Sequence, residues 1–112
     1  MSAVLIADSG STKCEWCLLN AEKKKKIFTT GISPYFLNAE QIVALLQKEL
    51  LPKIKLIPIK QIFFYGTGGK DNANKRLVHT GLKKVFSGAS IEVQTDLLGS
   101  ARALSQHKKG VC

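Results

Sequence analysis

The chain has 112 residues, which is enough for one hydrophobic core of ordinary domain size and too few for two. Its apolar content of 45% and charged content of 22% are typical of folded globular domains and exclude a disordered or fibrous chain. The formal net charge of +9 suggests an anionic partner, but nucleic acid is not favoured, because arginine, the usual reader of bases, occurs only at Arg76 and Arg102. No apolar run approaches the roughly 18 residues that span a bilayer, so we expect no membrane segment.

The first part of the sequence predicts three strands in a meander. The apolar run over residues 3–7 is short, continuous and followed by turn-forming residues, which is typical of a strand buried on both faces. Residues 14–19 and 27–30 are the next two predicted strands. Residues 20–26, which include four consecutive lysines, are predicted to form a solvated turn between them.

From Asn38 onward, apolar residues recur at helical spacing, which predicts a helix. Asn38 is the predicted N-cap, Gln41 completes a capping box, and Pro52 is predicted to end this first helix. A fourth strand over residues 61–65 runs into a glycine-rich turn. A second amphipathic helix follows, although Gly81 weakens it by roughly 1 kcal/mol relative to alanine.

The last predicted elements are a strand over residues 90–95 and a third helix that Asp96 opens. The predicted order is therefore β-β-β-α-β-α-β-α. Strands joined through crossover helices are parallel, so the sheet is predicted to be mixed and flanked by helices. We expect one α/β domain over residues 1–112.

Three cysteines, Cys14, Cys17 and Cys112, cannot all pair within one chain, and no signal-peptide pattern precedes them. We therefore expect a cytoplasmic location. Cys14 and Cys17 have the spacing of a metal or redox pair, but they fall in a predicted strand, where residues three apart point to opposite faces. Both are predicted to be small apolar filler of the core.

Polar residues follow the first predicted strand. The turn of Gly10, Ser11, Thr12 and Lys13 has small residues whose backbone N–H groups can converge on an anion, which predicts a phosphate-binding turn. It is not a Walker A loop, because a strand rather than a helix follows it. Asp8 is placed to hold a water ligand of Mg²⁺. An ordinary hairpin turn is the alternative interpretation.

Two further strand ends carry candidate residues. Thr67 and Gly68 lie in a glycine-rich turn, where another group can approach the backbone closely, and a flexible connection is the alternative. Asp96 is a candidate general base for phosphoryl transfer, although aspartate is also a preferred N-cap. Because the carboxyl ends of adjacent parallel strands meet at one edge, the three strand ends together predict a ligand cleft.

Residues 5–16 resemble the phosphate-1 motif of the BadF/BadG/BcrA/BcrD-type ATPases and the N-acetylglucosamine kinases, with serine in place of two glycines that are usual there. Residues 31–36, 65–69 and 95–104 resemble later segments of that family in the same order. The resemblance implies a ribonuclease H-like (actin-like ATPase) fold. It also implies the N-terminal half of an ATP-dependent sugar kinase that phosphorylates the 6-hydroxyl of N-acetylglucosamine or a similar amino sugar.

The resemblance implies a role for each candidate residue. The ATP phosphates would be contacted by Gly10, Ser11, Thr12 and Lys13. The sugar would be contacted by Ser33, Thr67, Gly68 and Asp96. Asp96 would also accept the hydroxyl proton, and Asp8 would serve Mg²⁺.

Members of that family carry a second, C-terminal domain with another phosphate loop and the adenosine pocket. We expect that this chain lacks that domain, is inactive alone, and partners with it or with a second copy through an exposed face. Two alternatives stay open. One is an ATPase of the reductase or dehydratase-activator type, which would need cysteines that hold an iron–sulfur cluster. The other is a non-catalytic basic binding module, including a nucleic-acid binder.

Overall fold

The computed structural model describes residues 3–10, 12–20, 23–33, 37–54, 57–66 and 72–94. The elements in chain order are β1 (Ala3–Ser9), β2 (Lys13–Asn20), β3 (Lys23–Thr30), α1 (Ala39–Leu45), a π-helical segment (Leu46–Leu50), α2 (Leu51–Ile54), β4 (Ile59–Gly66), α3 (Asn72–Val85) and β5 (Ser90–Gln94). The predicted order is confirmed as far as β5. The third helix predicted from Asp96 lies outside the described residues.

The strands form one mixed sheet in the order β3-β2-β1-β4-β5. The meander β1-β2-β3 is antiparallel, and β1, β4 and β5 are parallel to one another. Crossovers through helices produce the parallel half, as the sequence predicted. The carboxyl ends of β1, β4 and β5 therefore lie at the same edge of the sheet.

The lysine run is not a turn, and that prediction is wrong. Residues 23–26 form the first half of β3 and pair with residues 17–20 of β2. All four lysines are exposed. β3 is an edge strand of the described sheet, and an edge strand accommodates charged side chains, which also discourage pairing with another chain. Strand pairing has thus overridden the polar composition that suggested a turn.

The first helix begins as predicted. The Asn38 side-chain oxygen accepts a hydrogen bond from the Gln41 N–H at 2.8 Å, and the Gln41 side-chain oxygen accepts from the Asn38 N–H at 2.9 Å. These reciprocal bonds are the predicted capping box.

The first helix does not end at Pro52, which corrects the prediction. A proline ring crowds the carbonyl four residues back in a regular α-helix, and proline has no N–H to donate. Here the wider π-helical segment comes directly before it, and the Leu51 N–H donates to the Leu46 carbonyl, five residues back. This wider turn lets the helix continue past Pro52.

The main core lies between one face of the sheet and the helices. Its largest fully buried side chains include Trp16, Phe64, Leu5, Ile62, Ile42, Leu46, Leu50 and Leu82. A smaller cluster of Ile6, Cys17 and Tyr65 lies on the opposite face. Within the described ranges, no helix is long and apolar enough to cross a membrane.

Gly81 is the point at which α3 approaches α1. A Cβ atom on Gly81 would lie 2.7 Å from Cγ2 of Ile42 and 3.4 Å from the Ala39 carbonyl oxygen. The distance to Ile42 is closer than Cβ contacts allow, whereas the distance to Ala39 is an ordinary contact, so only glycine fits without movement of Ile42. The residue that weakens the helix in isolation is therefore the one that lets the two helices pack closely.

Candidate functional site

The turn between β1 and β2 is closed by its own backbone. The Gly10 N–H donates to the Lys13 carbonyl at 2.8 Å, so this N–H is already occupied. Thr12 and Lys13 are exposed. Ser11 lies outside the described residues. The donors that this part of the turn presents to a ligand are therefore those of Thr12 and Lys13 rather than the Gly10 N–H.

Ser9 fixes this turn to the segment over residues 31–33. Its hydroxyl oxygen accepts from the Ile32 N–H at 2.8 Å, and the hydroxyl lies 3.1 Å from the Ile32 carbonyl and 3.2 Å from the Gly10 carbonyl, to either of which it can donate. Ser9 is only 2% exposed. A buried hydroxyl that both accepts and donates joins two segments that are far apart in the chain. The structure thereby holds the turn beside residues 31–33.

The role of Ser9 was not predicted, although the sequence contains a signal for it. Ser9 is in phase with Ala3, Leu5 and Ala7, which all face the main core. A polar residue at an inward-facing strand position must find a hydrogen-bond partner. The pattern therefore indicates a buried bond, while the identity of the partner depends on the fold.

Ser33, a predicted sugar contact, lies next to Ile32 and is only 3% exposed. Its carbonyl accepts from the Leu37 N–H at 3.0 Å. The segment is therefore held at the edge where β1 ends, but Ser33 itself presents almost no surface to a ligand.

The predicted meeting of three strand ends is present. In the parallel pairs, Ser9 lies beside Gly66, and Tyr65 lies beside Gln94. The other predicted site residues follow these ends and lie outside the described residues: Thr67, Gly68 and Asp96. The structure therefore shows that the three strand ends share one edge, and the ligand cleft predicted there stays a prediction.

Asp8 is exposed at the end of β1, on the face opposite the main core. It lies directly across from Glu15 of β2, and like charges in this position repel each other. Among the described residues, no group of three or more potential metal ligands occurs. Mg²⁺ usually takes one or two carboxylates and completes its shell with water and phosphate oxygens. The Asp8 carboxylate fits that mode of binding and not an all-protein cage.

The ammonium group of Lys13 lies over the ring of Phe28, 5.0 Å from its centroid. Phe28 is a large apolar residue with 43% of its surface exposed. A cation–π contact at an exposed site is worth about 0.5–1 kcal/mol, so it orients Lys13 only weakly. The flexible side chain can leave the ring when an anion binds nearby.

The two cysteines of the described chain have different environments. Cys14 belongs to the main core and Cys17 to the opposite cluster, so they point to opposite faces as predicted. Burial raises the pKa of the Cys14 thiol from 9.0 to about 12, which keeps it protonated and unreactive at neutral pH. Cys17 is disulfide-bonded, so the prediction that both residues are merely apolar filler is wrong for Cys17.

Comparisons with known proteins found similar structures but no similar sequence. No protein-family model matches the sequence, and no curated protein matches it. The solved structure of YeaZ from Pseudomonas aeruginosa matches with a TM-score of 0.51 and 18% identity, over 96% of this chain and 50% of that one. The crystal structure of an uncharacterized protein with similarity to peptidase YEAZ from Pseudomonas aeruginosa matches with a TM-score of 0.49 and 19% identity, over the same shares. The chain spans about half the length of these neighbours.

The likeness to YeaZ, together with the mixed sheet and its helices, confirms the predicted ribonuclease H-like (actin-like ATPase) fold. At this identity the likeness shows the fold alone. The predicted membership of the BadF/BadG/BcrA/BcrD and N-acetylglucosamine kinase family is wrong, because the solved structure that this fold resembles is YeaZ and no family model matches the sequence. Small residues at strand ends are required by the geometry of the fold, so motifs built from them do not separate its families.

Proposed function

We propose that the chain is one half of a nucleotide-binding protein with the actin-like ATPase fold. In this proposal the edge formed by the ends of β1, β4 and β5 binds the phosphates of ATP together with Mg²⁺. The observation that carries it is the Ser9 hydroxyl, which ties the β1–β2 turn to residues 31–33 at that edge. Ligands of open α/β sheets bind outside the carboxyl ends of their parallel strands.

The roles of the turn residues follow from their contacts. Thr12 and Lys13 would donate to phosphate oxygens, Ser11 would complete the cradle, and Gly10 would close the turn through its bond to the Lys13 carbonyl. Lys13 would leave the Phe28 ring, which costs about 0.5–1 kcal/mol. A charge-assisted bond to phosphate is worth about 1.5–3 kcal/mol and offsets that cost.

The proposed reaction class is Mg-ATP-dependent phosphoryl transfer or hydrolysis, with Asp96 as the general base. Positioning and exclusion of water require a cleft closed from both sides. The chain is therefore proposed to be inactive alone and to be completed by a second domain or a second copy. An amino-sugar substrate is not part of the proposal, because it rested on the family resemblance that the comparisons overturn.

Calorimetric titration of the chain with ATP, with and without Mg²⁺, tests this proposal. Asp8→Asn should weaken Mg-ATP binding about tenfold and leave metal-free ATP binding unchanged, whereas Lys13→Gln should weaken both. Glu40→Gln and Lys48→Gln change the same charges at exposed positions of the first helix and serve as matched controls. Equal affinity in all four variants, or ATP turnover by the chain alone, would contradict the proposal.

A further inference from the structure

A second group of basic side chains lies away from the β1–β2 turn, in a groove between α3 and β5. The groove has a volume of about 290 Å³ and is lined by Lys75, Arg76, His79 and Val93. Lys75 and His79 are four residues apart on α3, so they lie one above the other on the same helix face, with Arg76 alongside. β4 separates β5 from β1 in the sheet, so this groove is distinct from the turn.

These three side chains are free of the contacts that occupy other cations of the protein. Lys83, further along α3, donates to the Ala89 carbonyl at 2.6 Å. In the part of the chain that the structure describes, Lys75, Arg76 and His79 make no such bond and no ion pair. Helix α3 contains no acidic residue either. The positive potential in the groove is therefore not neutralised by its own helix.

We propose that this groove binds a small phosphate monoester. Arg76 can hold two phosphate oxygens with its planar guanidinium, Lys75 can neutralise a third as a point charge, and a ring N–H of His79 can donate. Val93 supplies an apolar wall for the carbon part of the ester.

The size of the groove sets the class of ligand. Sites for small molecules run from about 300 to 1,000 Å³, and the volume of this groove lies just below that range. A nucleic-acid strand needs a row of cations along its backbone, whereas here Lys75 and Arg76 line one open groove together with His79. A compact dianion matches the charge and the volume better than an extended polyanion does.

Nuclear magnetic resonance of the histidine side chains can test the site in the intact chain. The sequence contains two histidines, His79 and His107, and a His79→Gln variant assigns the resonance of interest. Ribose 5-phosphate should shift the His79 ring signal in a saturable way at constant pH. Ribose, which lacks the phosphate, should leave the signal unchanged, and inorganic phosphate should shift it more weakly than the ester does.

Variants that remove single positive charges test which side chains bind the phosphate. Lys75→Gln and Arg76→Gln should each weaken binding of ribose 5-phosphate about tenfold, while Lys84→Gln, an exposed site on the same helix that does not line the groove, should change it less than about twofold. Binding should survive Asp8→Asn and Lys13→Gln, so failure here is distinct from failure of the proposed nucleotide site.

Three results would overturn the proposal. One is the absence of a saturable shift of the His79 signal. Another is equal affinity for ribose 5-phosphate in the native chain and in the Lys75→Gln and Arg76→Gln variants. The third is displacement of ribose 5-phosphate by a single-stranded RNA that binds more tightly and with steep salt dependence, because the groove would then belong to a nucleic-acid surface.

Discussion

Charged side chains at the two edges of the described sheet differ in their hydrogen bonding: those at the β3 edge bond to backbone groups, and those that line the groove at the β5 edge do not. At the β3 edge, the Thr30 N–H donates to a Glu49 carboxylate oxygen at 2.7 Å, and the Lys53 ammonium donates to the Phe28 carbonyl at 3.5 Å. Lys25 donates in turn to the Lys53 carbonyl at 2.8 Å, at the end of α2. Side chains of β3 and of the first helical unit thus satisfy backbone groups that an edge strand and a helix end leave open.

At the β5 edge, Lys75, Arg76 and His79 face a groove and bond to no described residue. A lysine that finds a carbonyl stabilises the fold, whereas one that faces a cavity without a partner keeps its donors for a ligand. Within the densest run of lysines, Lys25 therefore has a structural bond, and we regard the sparser group at the groove as the better candidate for binding. Charge density alone does not reveal which role a cation has.

The largest expected loss of stability comes from removing the Trp16 side chain, which packs in the core and bonds to Thr29 of β3. Trp16 is fully buried, its ring lies 6.2 Å from that of Phe64, and its indole N–H donates to the Thr29 hydroxyl at 3.0 Å. Trp16→Ala should lower the free energy of unfolding by about 3–5 kcal/mol in urea titrations.

Trp16→Phe is the matched variant, because it keeps an aromatic ring and removes the indole N–H. It should cost clearly less than Trp16→Ala. A loss below about 1 kcal/mol for Trp16→Ala would mean that this side of the sheet does not depend on the tryptophan.

A smaller loss of stability is expected at the contact of α3 with α1, which lies between the two edges of the sheet. Alanine favours a helix over glycine by about 1 kcal/mol, but the added Cβ of Gly81→Ala would lie 2.7 Å from Cγ2 of Ile42. Overpacking of this kind costs about 1–3 kcal/mol, so we expect a net loss of stability in thermal or urea unfolding.

Gly88→Ala is the control, because a Cβ atom there meets nothing within 4 Å. The double variant Ile42→Ala with Gly81→Ala should cost less than the sum of the single variants, since the first removes the obstructing methyl group. Stabilisation by Gly81→Ala alone would show that the close approach is not needed.

The smallest of the three effects is expected for the bonds that close the β3 edge. Glu49→Ala removes the acceptor of both the Thr30 N–H and the Thr30 hydroxyl, which lies 3.0 and 3.1 Å from the two carboxylate oxygens. Because the site is partly open to water, we expect a loss of about 0.5–1 kcal/mol, together with faster self-association through the uncovered edge.

Lys48→Gln, at an exposed neighbouring position, should leave both stability and association unchanged. Sedimentation and urea unfolding measure the two properties separately. Unchanged association of Glu49→Ala would mean that the lysines of β3 protect the edge without help from Glu49.

Several local features of this protein were predictable because their cause lies within a few residues of the chain. The capping box of Asn38 and Gln41 joins residues three apart, and hydrophobic patterning identified the described strands and helices apart from the lysine half of β3. The order of these elements then leads to a mixed sheet, and the parallel strands place their ends at one edge. The position of the candidate site follows from that order.

The sequence by itself determined the order of elements as far as β5, the cap of the first helix and the edge of the sheet where the ends of β1, β4 and β5 meet. Tertiary structure alone decided that the lysines of residues 23–26 form an edge strand and that Ser9 bonds to Ile32. It also decided that Gly81 packs against Ile42. Finally, it placed Lys75, Arg76 and His79 in a groove with Val93. The physical reason is the range of the interactions. Propensity, capping and periodicity act between neighbours in the chain, whereas a partner for a buried hydroxyl or an unpaired cation is chosen by packing between segments that are far apart in sequence.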